Sequence, residues 1–484
     1  TRLTLLSMKD PNALATSLAI AALPSQALEL GQLFGAGGFK LALVGGSVRD
    51  AILGRLSTDL DFTTSAHPDQ TKKILKAWGD SIWETGRDFG TIAAGRGEVT
   101  VEVTTYRREK YDPTSRKPIV EFGTEIEMDL SRRDFTVNAM ALELTTPTPT
   151  FIDLFDGVTD LAKKVLRTPI AAEDLFTEDP LRMMRAARFV SQLGFSVDPT
   201  ITEGITKLAS RMEIISAERI HDELIKLMMG AEPRNGLSLM VETGLADYVL
   251  PELPKLKLEV DEHHHHKDVY EHTLKVLEQA IALEDRLGGP NLIIRLAALL
   301  HDIGKPKTRE LIPGGGVSFH HHEVVGSKMA KERLKNLRFS NEIISDVSKL
   351  VFLHLRFHGY GNGEWTDSAV RRYVRDAGEL LTHLHVLTRA DCTTRNAKKA
   401  ANLAATYDSL EARIAQLQAQ EELDAIRPDL DGKEIMAILN IKPSPLVGQA
   451  YDYLLELRLE HGPLGAERAT TELLNWWSLN GPKS

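Results

Sequence analysis

The sequence predicts an α+β protein of several domains, in which a small α/β head is followed by helical domains. Its 484 residues are too many for one ordinary hydrophobic core. Short apolar strands alternate with helical segments in the first third, whereas apolar residues follow helical spacing almost throughout from Asp174 onward. We therefore predict a head, a helical neck and body, a second helical domain and a helical tail, at residues 1–168, 169–250, 251–400 and 401–484.

The composition is typical of a globular chain, with 42% hydrophobic and 26% charged residues. The apolar run 292–300 is much shorter than the roughly 20 residues that a membrane span needs, and the N-terminus lacks the pattern of an export signal. We expect no membrane partner. The single cysteine, Cys392, predicts no disulfide-linked partner and favours a cytoplasmic location. The net charge of −10 counts against a nucleic-acid partner unless basic residues are concentrated locally.

The first candidate site contains a pair of aspartates. Asp59 and Asp61 flank Leu60 on a predicted strand, so alternation places both carboxylates on one face. Two carboxylates this close repel each other unless a cation lies between them, and Mg²⁺ prefers such oxygen ligands. Glu102, on the polar face of the alternating strand 99–105, is a candidate third carboxylate. The alternatives are a solvent-facing aspartate pair and an ordinary exposed glutamate.

A predicted phosphate-binding turn lies upstream of the aspartates. Gly45 and Gly46 follow the apolar strand 41–44 and precede a helix that we expect Ser47 to cap. Such a turn lets backbone N–H groups approach a phosphate, and Arg49 in the first helical turn can reach the same anion. This order of elements is what a site for a metal and a triphosphate requires.

Two further polar clusters follow along the chain. In the first, Arg133 offers a guanidinium fork to phosphate, and Asp134 or Asn138 can bond a ribose hydroxyl. A surface arginine pair beside a helix start is the alternative interpretation.

In the second cluster, charged residues recur every three positions. This spacing places Asp179, Arg182 and Arg185 along one predicted helical ridge, with Arg188 beyond them. An acceptor and a donor such as Asp179 and Arg182 can pair with the edge of a base. A series of salt bridges along the helix is the alternative.

The last candidate site is a set of histidines and aspartates on separate helical segments. A single histidine on an apolar helix is usually a core residue, whereas several ligands that converge from different helices bind a divalent transition metal or Mg²⁺. The candidate ligands are His272, His301, Asp302 and Asp391.

The head motifs resemble those of a known family. Residues 43–50 (LVGGSVRD) and 59–62 (DLDF) resemble the signature of class II tRNA nucleotidyltransferases and bacterial poly(A) polymerases, which have a polymerase-β-like nucleotidyltransferase head. Residues 132–138 resemble the family's RRDFT-x-N motif, and residues 178–182 resemble its EDxxR motif. The resemblance covers roughly residues 40–240.

This resemblance implies template-independent addition of CCA to the 3′ end of tRNA, from CTP and ATP, with release of pyrophosphate. Mg²⁺ held by Asp59 and Asp61 would support the reaction. The aspartate and arginine of EDxxR would form a protein template that selects the nucleotide. The residues to which the resemblance assigns nucleotide contacts are Arg133, Asp179, Arg182, Arg185 and Arg188.

The order of His272, His301-Asp302 and Asp391 resembles the HD superfamily over most of residues 268–395. His322 and His354 resemble the extra histidines of its two-metal members, which implies that they are ligands of a second metal. The HD modules of similar bacterial enzymes imply phosphodiesterase, nucleotidase or phosphatase activity on RNA ends.

Several functions stay open at this point. A poly(A) polymerase, or a specialist that adds CC or A, would carry the same motifs, and the segment 107–119, which we predict to be a mobile loop, would decide between them together with the helices after residue 190. A phosphohydrolase with an RNA-binding head and a non-enzymatic RNA-binding scaffold are alternatives of other classes.

Overall fold

The computed structural model describes residues 11–110, 119–123, 125–257, 268–311, 313, 317–357, 366–393, 396–421 and 426–482. Contacts divide the chain into two units, Thr1–Pro254 and Lys255–Ser484. The mixed α+β fold class is confirmed, because the sheet lies in the first unit and helices dominate the rest. The division into four domains stays a prediction.

The first unit contains a seven-stranded sheet with the strand order β3-β4-β5-β2-β1-β8-β9. The strands of this unit are β1 (Leu41–Val44), β2 (Asp59–Thr64), β3 (Ser81–Trp83), β4 (Thr91–Arg96), β5 (Val99–Thr105), β6 (Arg107–Lys110), β7 (Ile119–Phe122), β8 (Met140–Glu143), β9 (Thr150–Asp153), β10 (Val165–Leu166) and β11 (Ser196–Val197). β2 and β5 pair in parallel, whereas the other neighbours in this sheet are antiparallel.

Twelve helices of the first unit surround and follow this sheet within the described residues. They are α1 (Pro11–Ala22), α2 (Ser25–Ala36), α3 (Gly46–Ile52), α4 (Pro68–Trp78), α5 (Ile126–Ser131), α6 (Gly157–Lys163), α7 (Ala172–Glu178), α8 (Leu181–Leu193), α9 (Pro199–Leu208), α10 (Ala217–Met228), α11 (Pro233–Glu242) and α12 (Ala246–Val249). Helix α8 packs against both α10 and α11, so it lies at the centre of the helical part of this unit.

The burial of the sheet residues follows the sequence pattern. All four residues of β1 are buried, as expected of an apolar strand in the middle of a sheet. In β5, Val99, Val101 and Val103 are buried and Glu102 is exposed, so the predicted alternation is confirmed. The sheet therefore has one face directed to the core and one face that carries polar residues.

The turn between β1 and α3 differs from the prediction in one detail. The residue before the helix is Gly45, with φ of +67°, a backbone conformation that glycine adopts at little cost. Ser47 lies inside the helix, so the prediction that it caps the helix was wrong. Its hydroxyl oxygen instead accepts the N–H of Asp61 at 3.0 Å, which ties the turn to the aspartate strand.

The segment predicted as a mobile loop is strand-paired at both ends. β6 and β7 form an antiparallel hairpin in which Arg107 lies opposite Phe122. The prediction was wrong for these ends because the charged residues of β6 still allow backbone pairing. Residues 111–118 lie outside the described part of the chain.

The second unit is mostly helical. Its elements within the described residues are α13 (Val269–Ala282), α14 (Leu292–Leu300), β12 (Glu310–Leu311), β13 (Val317–Ser318), α15 (His322–Asn336), α16 (Asn341–Leu353), α17 (Asp367–Ala377), α18 (Leu381–Ala390), α19 (Ala397–Gln420), α20 (Gly432–Leu439), α21 (Pro445–His461) and α22 (Ala466–Asn480). The last three helices share a small apolar cluster of their own.

Helices α14 and α16 end where predicted metal ligands begin. The side chains of Asn291 and Ser340 cap their N-termini by accepting backbone N–H groups, and the helices end at Leu300 and Leu353. His301 and His354 follow directly.

Across the described residues, no single helix is both long and apolar enough to cross a membrane. Helices α1 and α2 reach that length and hydrophobicity only when they are taken together, and they are bent by 104° relative to each other.

Candidate functional site

A cleft of about 630 Å³ lies beside the sheet in the first unit. Eight arginines and three aspartates contribute to its lining, so this surface is strongly basic in a chain of net charge −10. The predicted site residues that it brings together are Gly45, Gly46, Arg49, Asp61, Arg133, Asp134, Asn138, Asp179, Arg182, Arg185 and Arg188. Such a concentration of guanidinium groups suits a polyanionic ligand.

The three candidate catalytic carboxylates lie on neighbouring strands at the border of this cleft. Asp59 and Asp61 are exposed on either side of the buried Leu60, so they share one face of β2 as predicted. In the parallel pairing of β2 with β5, Asp61 lies opposite Glu102. Asp61 lines the basic cleft, whereas Asp59 and Glu102 are outside its lining.

The surroundings of Asp61 favour a bound cation. Partial burial, followed by the negative charges of Glu102 and Asp59, raises the pKa of Asp61, and Arg133 opposes this shift. Within the part of the chain that the structure describes, none of the three carboxylates forms an ion pair. Carboxylates that repel one another in this way provide the oxygen ligands that Mg²⁺ requires, so the donor set fits a divalent metal.

The Gly-Gly turn is shaped by an arginine that packs over it. A side chain on Gly45 would begin 2.8 Å from Nη1 of Arg133, so a larger residue here would displace this guanidinium. Arg133 is held there by the buried Asp129, whose carboxylate lies 3.0 Å from its Nη2 and 2.8 Å from Arg132. Although burial would raise the pKa of Asp129, Arg133 and Arg132 keep it below its ordinary value.

A buried hydrogen-bond network centred on Asp134 positions further cations. The Nε of Arg185 donates to Asp134 at 2.7 Å, and Asn138 donates to the other carboxylate oxygen at 2.9 Å. Asn138 in turn accepts from Nη1 of Arg49 at 2.6 Å. Burial alone would raise the pKa of Asp134, but the charge of Arg185 lowers it to about 2. Asp134 and Asn138 thus hold the arginines in place at the cleft, and their predicted contact with a ribose stays a prediction.

The third anchor of the arginines is Glu223, which is buried on α10. Its carboxylate lies 3.2 Å from Arg188 and 3.7 Å from Arg185. Two guanidinium groups lie over the ring of Phe189. The Cζ atom of Arg188 is 4.2 Å and the Cζ atom of Arg49 is 5.4 Å from the ring centre. Burial and the charge of Arg185 lower the pKa of Arg188 to about 10, although Glu223 and Asp134 oppose this shift.

The two residues of the predicted template lie at the same cleft but not on one helical ridge. Asp179 is extended (φ −136°, ψ 100°) between α7 and α8, so the prediction of a continuous helix through it was wrong. The cause is Pro180, because a proline disfavours the helical conformation of the residue before it. The Asp179 carboxylate accepts the N–H of Leu181 at 3.2 Å and lies 2.8 Å from Nη2 of Arg219.

Arg182 is buried and bonded within the protein. Its guanidinium donates to the carbonyl oxygens of Leu175 and Arg132 and lies 3.1 Å from Glu178. Hydrogen bonds and ion pairs therefore hold the side chains of Asp179 and Arg182 in defined orientations at the cleft.

Several residues of the site were missed at the sequence level. Asp129 precedes the two arginines by three and four residues, a spacing typical of helical ion pairs. Glu223 shares the apolar face of α10 with Ile220 and Leu224, where a carboxylate needs a partner. For Arg219, on the exposed side of α10, no signal in the sequence distinguishes it from a solvated arginine.

The second unit contains the predicted histidine–aspartate centre. Two clusters, each with ligand atoms within 4.8 Å of one another, are formed by His272, His301 and Asp391 and by Asp302, His322 and His354. Asp302 connects them, because its Oδ2 lies 3.2 Å from Nε2 of His301 and its Oδ1 lies 3.3 Å from Nε2 of His322. All six predicted ligands are thus brought together.

The histidines of this centre direct one nitrogen inward. Nδ1 of His301, His322 and His354 lies 2.6–2.8 Å from a backbone carbonyl oxygen three residues earlier, and Nδ1 of His272 lies 2.9 Å from the Thr393 hydroxyl. When Nδ1 carries the proton, Nε2 is left as a lone-pair donor, which is the usual arrangement of metal-bound histidine. The donor set of imidazoles and carboxylates fits a divalent transition metal.

Electrostatics keep Asp302 ionised despite complete burial. Burial would raise the pKa of Asp302, but His301 and Lys305 hold it well below its ordinary value. Nζ of Lys305, a residue missed at the sequence level, lies 2.6 Å from Oδ2 of Asp302. Gly304 lets α15 approach this loop, since a side chain there would begin 2.2 Å from the carbonyl oxygen of His322.

Comparison with known families agrees with this division of sites. The poly A polymerase head domain matches residues 41–167, the probable RNA and SrmB-binding site of polymerase A matches residues 194–256, and the HD domain matches residues 269–396. The first match contains the carboxylates and the Gly-Gly turn, and the last contains the histidine–aspartate centre.

Similar solved structures are CCA-adding enzymes. One from Bacillus stearothermophilus in complex with CTP has a TM-score of 0.67 at 24% identity, over 94% of this chain and 98% of that one. One from Thermotoga maritima complexed with tRNA has a TM-score of 0.61 at 17% identity, over 96% and 98%. At these identities the likeness shows the shared fold.

Two relatives carry the family assignment. An A-adding tRNA nucleotidyltransferase of Deinococcus radiodurans is 31% identical over 452 residues, 92% of this chain and 96% of the relative. A CCA-adding enzyme of Latilactobacillus sakei is 44% identical over 225 residues, 46% of this chain and 55% of that enzyme. Near-complete coverage by the first relative, together with the head and HD matches, shows that the chain belongs to the metal-dependent tRNA nucleotidyltransferase family.

Proposed function

We propose that the chain completes the CCA sequence at the 3′ end of tRNA, using CTP and ATP and releasing pyrophosphate. The observation that carries this proposal is the basic cleft, which borders a row of exposed carboxylates in a member of this family. Among the described residues of the first unit, this cleft combines a metal-binding edge with a cationic wall large enough for a triphosphate.

The residues of the cleft divide the work of the reaction. Asp59 and Asp61 would hold Mg²⁺, and Glu102 lies opposite Asp61 on β5. Bound Mg²⁺ supplies Lewis-acid stabilisation of the phosphate charge and lowers the pKa of a coordinated hydroxyl. The Gly-Gly turn and the arginines fixed by Asp129, Asp134 and Glu223 bind the triphosphate in one orientation. The primer 3′ oxygen forms a bond to the α-phosphorus while the bond to pyrophosphate breaks, and the hydroxyl proton passes to water.

Nucleotide choice is assigned to Asp179 and Arg182. Their side chains offer an acceptor and a set of donors at the same cleft, which matches the donor and acceptor edges of cytosine and adenine. Arg219 fixes the Asp179 carboxylate from α10 and so takes part in selection indirectly.

A second candidate function is the addition of A alone. It is favoured by the relative that matches almost the whole chain, since that protein is an A-adding tRNA nucleotidyltransferase. The two activities share the catalytic carboxylates and differ in the RNA ends that they extend.

For the second unit we propose a metal-dependent phosphohydrolase activity on RNA ends or nucleotides. The two ligand clusters joined by Asp302 support it, because adjacent metal ions can activate water against a phosphate ester. A cytoplasmic location is proposed with both activities, in keeping with the tRNA substrate and the single free Cys392.

The proposed function is tested with tRNA transcripts that end before CCA, after the first C and after the second C. Each is incubated with Mg²⁺ and the nucleoside triphosphates, and the products are sequenced. We expect all three to end in CCA. Extension only of the transcript that ends in CC would establish A addition, and a run of adenosines would establish poly(A) synthesis.

Two variants separate the activities in this assay. Asp61→Ala should reduce nucleotide addition by about 1000-fold or more, since metal ligation contributes several kcal/mol, and should leave phosphohydrolase activity intact. Asp302→Ala should abolish phosphohydrolase activity and leave nucleotide addition intact. Unimpaired addition by Asp61→Ala would show that this residue is not needed for the reaction. Loss of addition by Asp302→Ala would contradict the claim that the two sites act independently.

Arg219 is expected to affect selectivity. Arg219→Ala should reduce the preference for CTP and ATP over UTP and GTP by about 10-fold, because a hydrogen bond to a charged group contributes roughly 1.5–3 kcal/mol. Arg182→Ala should reduce it further, because it removes a template donor. The measurement is kcat/KM for each nucleotide, with the transcript that ends before CCA for selection of CTP and the transcript that ends in CC for selection of ATP.

A matched control is Arg96→Ala, which removes an ion pair of the same 2.8 Å length, between Arg96 and Glu29, outside the cleft. Selectivity should be unchanged in this variant. Equal selectivity in Arg219→Ala and Arg96→Ala would reject the role of Arg219.

The metal centre makes a stoichiometric prediction. After removal of metal by a chelator and reloading with Mn²⁺, the second unit should hold two ions per chain, measured by elemental analysis of Asp61→Ala protein to remove the head site. His322→Ala should lose one ion and Asp302→Ala both, since Asp302 joins the clusters. Retention of both ions by Asp302→Ala would contradict the shared ligand.

A further inference from the structure

A second cleft, of about 620 Å³, lies on the polar face of the sheet in the first unit. Its walls include the carboxylate residue Glu102 and two large aromatic residues, Trp83 and Phe89. Arg107 lines both this cleft and the basic cleft, so the two share a wall.

Strand register relates Trp83 to the catalytic carboxylates. Trp83 pairs with Ala93, Ala93 pairs with Glu102, and Glu102 pairs with Asp61. Residues directly opposite one another share a face of the sheet, so these four form one row across β3, β4, β5 and β2. At about 4.8 Å between strands, Trp83 lies roughly 14 Å from Asp61 on the same surface.

The two aromatic side chains are exposed, and contacts hold the ring of Trp83 and the backbone of Phe89. Trp83 is 47% and Phe89 is 45% exposed. Trp83 packs against Gly95, where the position of a Cβ atom would be 3.1 Å from its ring, and Arg107 donates to the carbonyl oxygen of Phe89. A ring that is fixed before binding, as that of Trp83 is, loses little entropy when a ligand stacks on it.

The reaction geometry indicates what this cleft receives. The attacking and leaving oxygens lie roughly in line through the transferred phosphorus. The Gly-Gly turn, which follows β1, lies on one side of β2, and Glu102 on β5 lies on the other side. With the triphosphate at the turn, the primer hydroxyl therefore approaches from the side of Glu102, where the second cleft begins.

We propose that Trp83 and Phe89 form a stacking platform for the last bases of the RNA primer, which directs its 3′ hydroxyl to the carboxylate row. This inference rests on the proposed nucleotide addition to RNA. A primer whose terminal base changes at each round needs recognition that tolerates different bases. Stacking provides this, because every base has a flat face.

The test compares three variants in steady-state addition to the tRNA transcript that ends in CC. Trp83→Leu and Phe89→Leu keep apolar volume but remove stacking, and each should raise KM for the tRNA about 10-fold with KM for the nucleotide unchanged. Trp83→Phe keeps an aromatic ring and should remain near the wild type. The control is Leu154→Ala, an equally exposed apolar residue outside both clefts, which should have no effect.

A transcript whose terminal nucleotide lacks its base distinguishes stacking from a structural effect. The missing base should raise KM for the wild type about 10-fold, with little further loss when it is combined with Trp83→Leu, because both changes remove one interaction. Unchanged tRNA KM in both leucine variants, or fully additive losses, would overturn the platform. Absence of any addition by the wild type would instead refute the proposed function.

Discussion

The buried carboxylate of Asp134 is the constraint on which the nucleotide cleft depends. It is buried and bonded to Arg185 and Asn138, and Asn138 accepts a hydrogen bond from Arg49. Removing one partner of a buried charge pair costs roughly 3–5 kcal/mol, a large part of the stability of a typical domain. The network therefore has to form whenever the first unit folds, and the arginines are placed before any ligand arrives.

Charge is distributed differently on the two sides of Asp61. On the side of the Gly-Gly turn, arginines outnumber the acids that hold them, which leaves positive charge for a triphosphate. Toward β5, Asp61 and its neighbours Asp59 and Glu102 form no ion pair among the described residues. Their negative charge is therefore available to bind a metal. A metal bound to nucleotide would complement both excesses of charge, as the proposed function requires.

Much of this arrangement was predictable because it depends on short-range patterns. Alternation over 99–105 and 59–61 predicted the faces of the carboxylates, and the end of an apolar helix predicted the position of His301. The role of His354 was predicted only from the resemblance to two-metal HD proteins. The break at Asp179 was missed although Pro180 signals it. The contacts of Arg219 and Glu223 could not be predicted, because they join α10 to residues far away in the chain and depend on tertiary packing.

The most direct test of the account is a crystal structure of the chain with Mn²⁺ and an unreactive analogue of CTP. Anomalous scattering should place Mn²⁺ at Asp59 and Asp61, with the triphosphate against the Gly-Gly turn and the guanidinium groups of Arg133 and Arg185. Metal and triphosphate bound elsewhere, or the two aspartates turned away from the nucleotide, would contradict it.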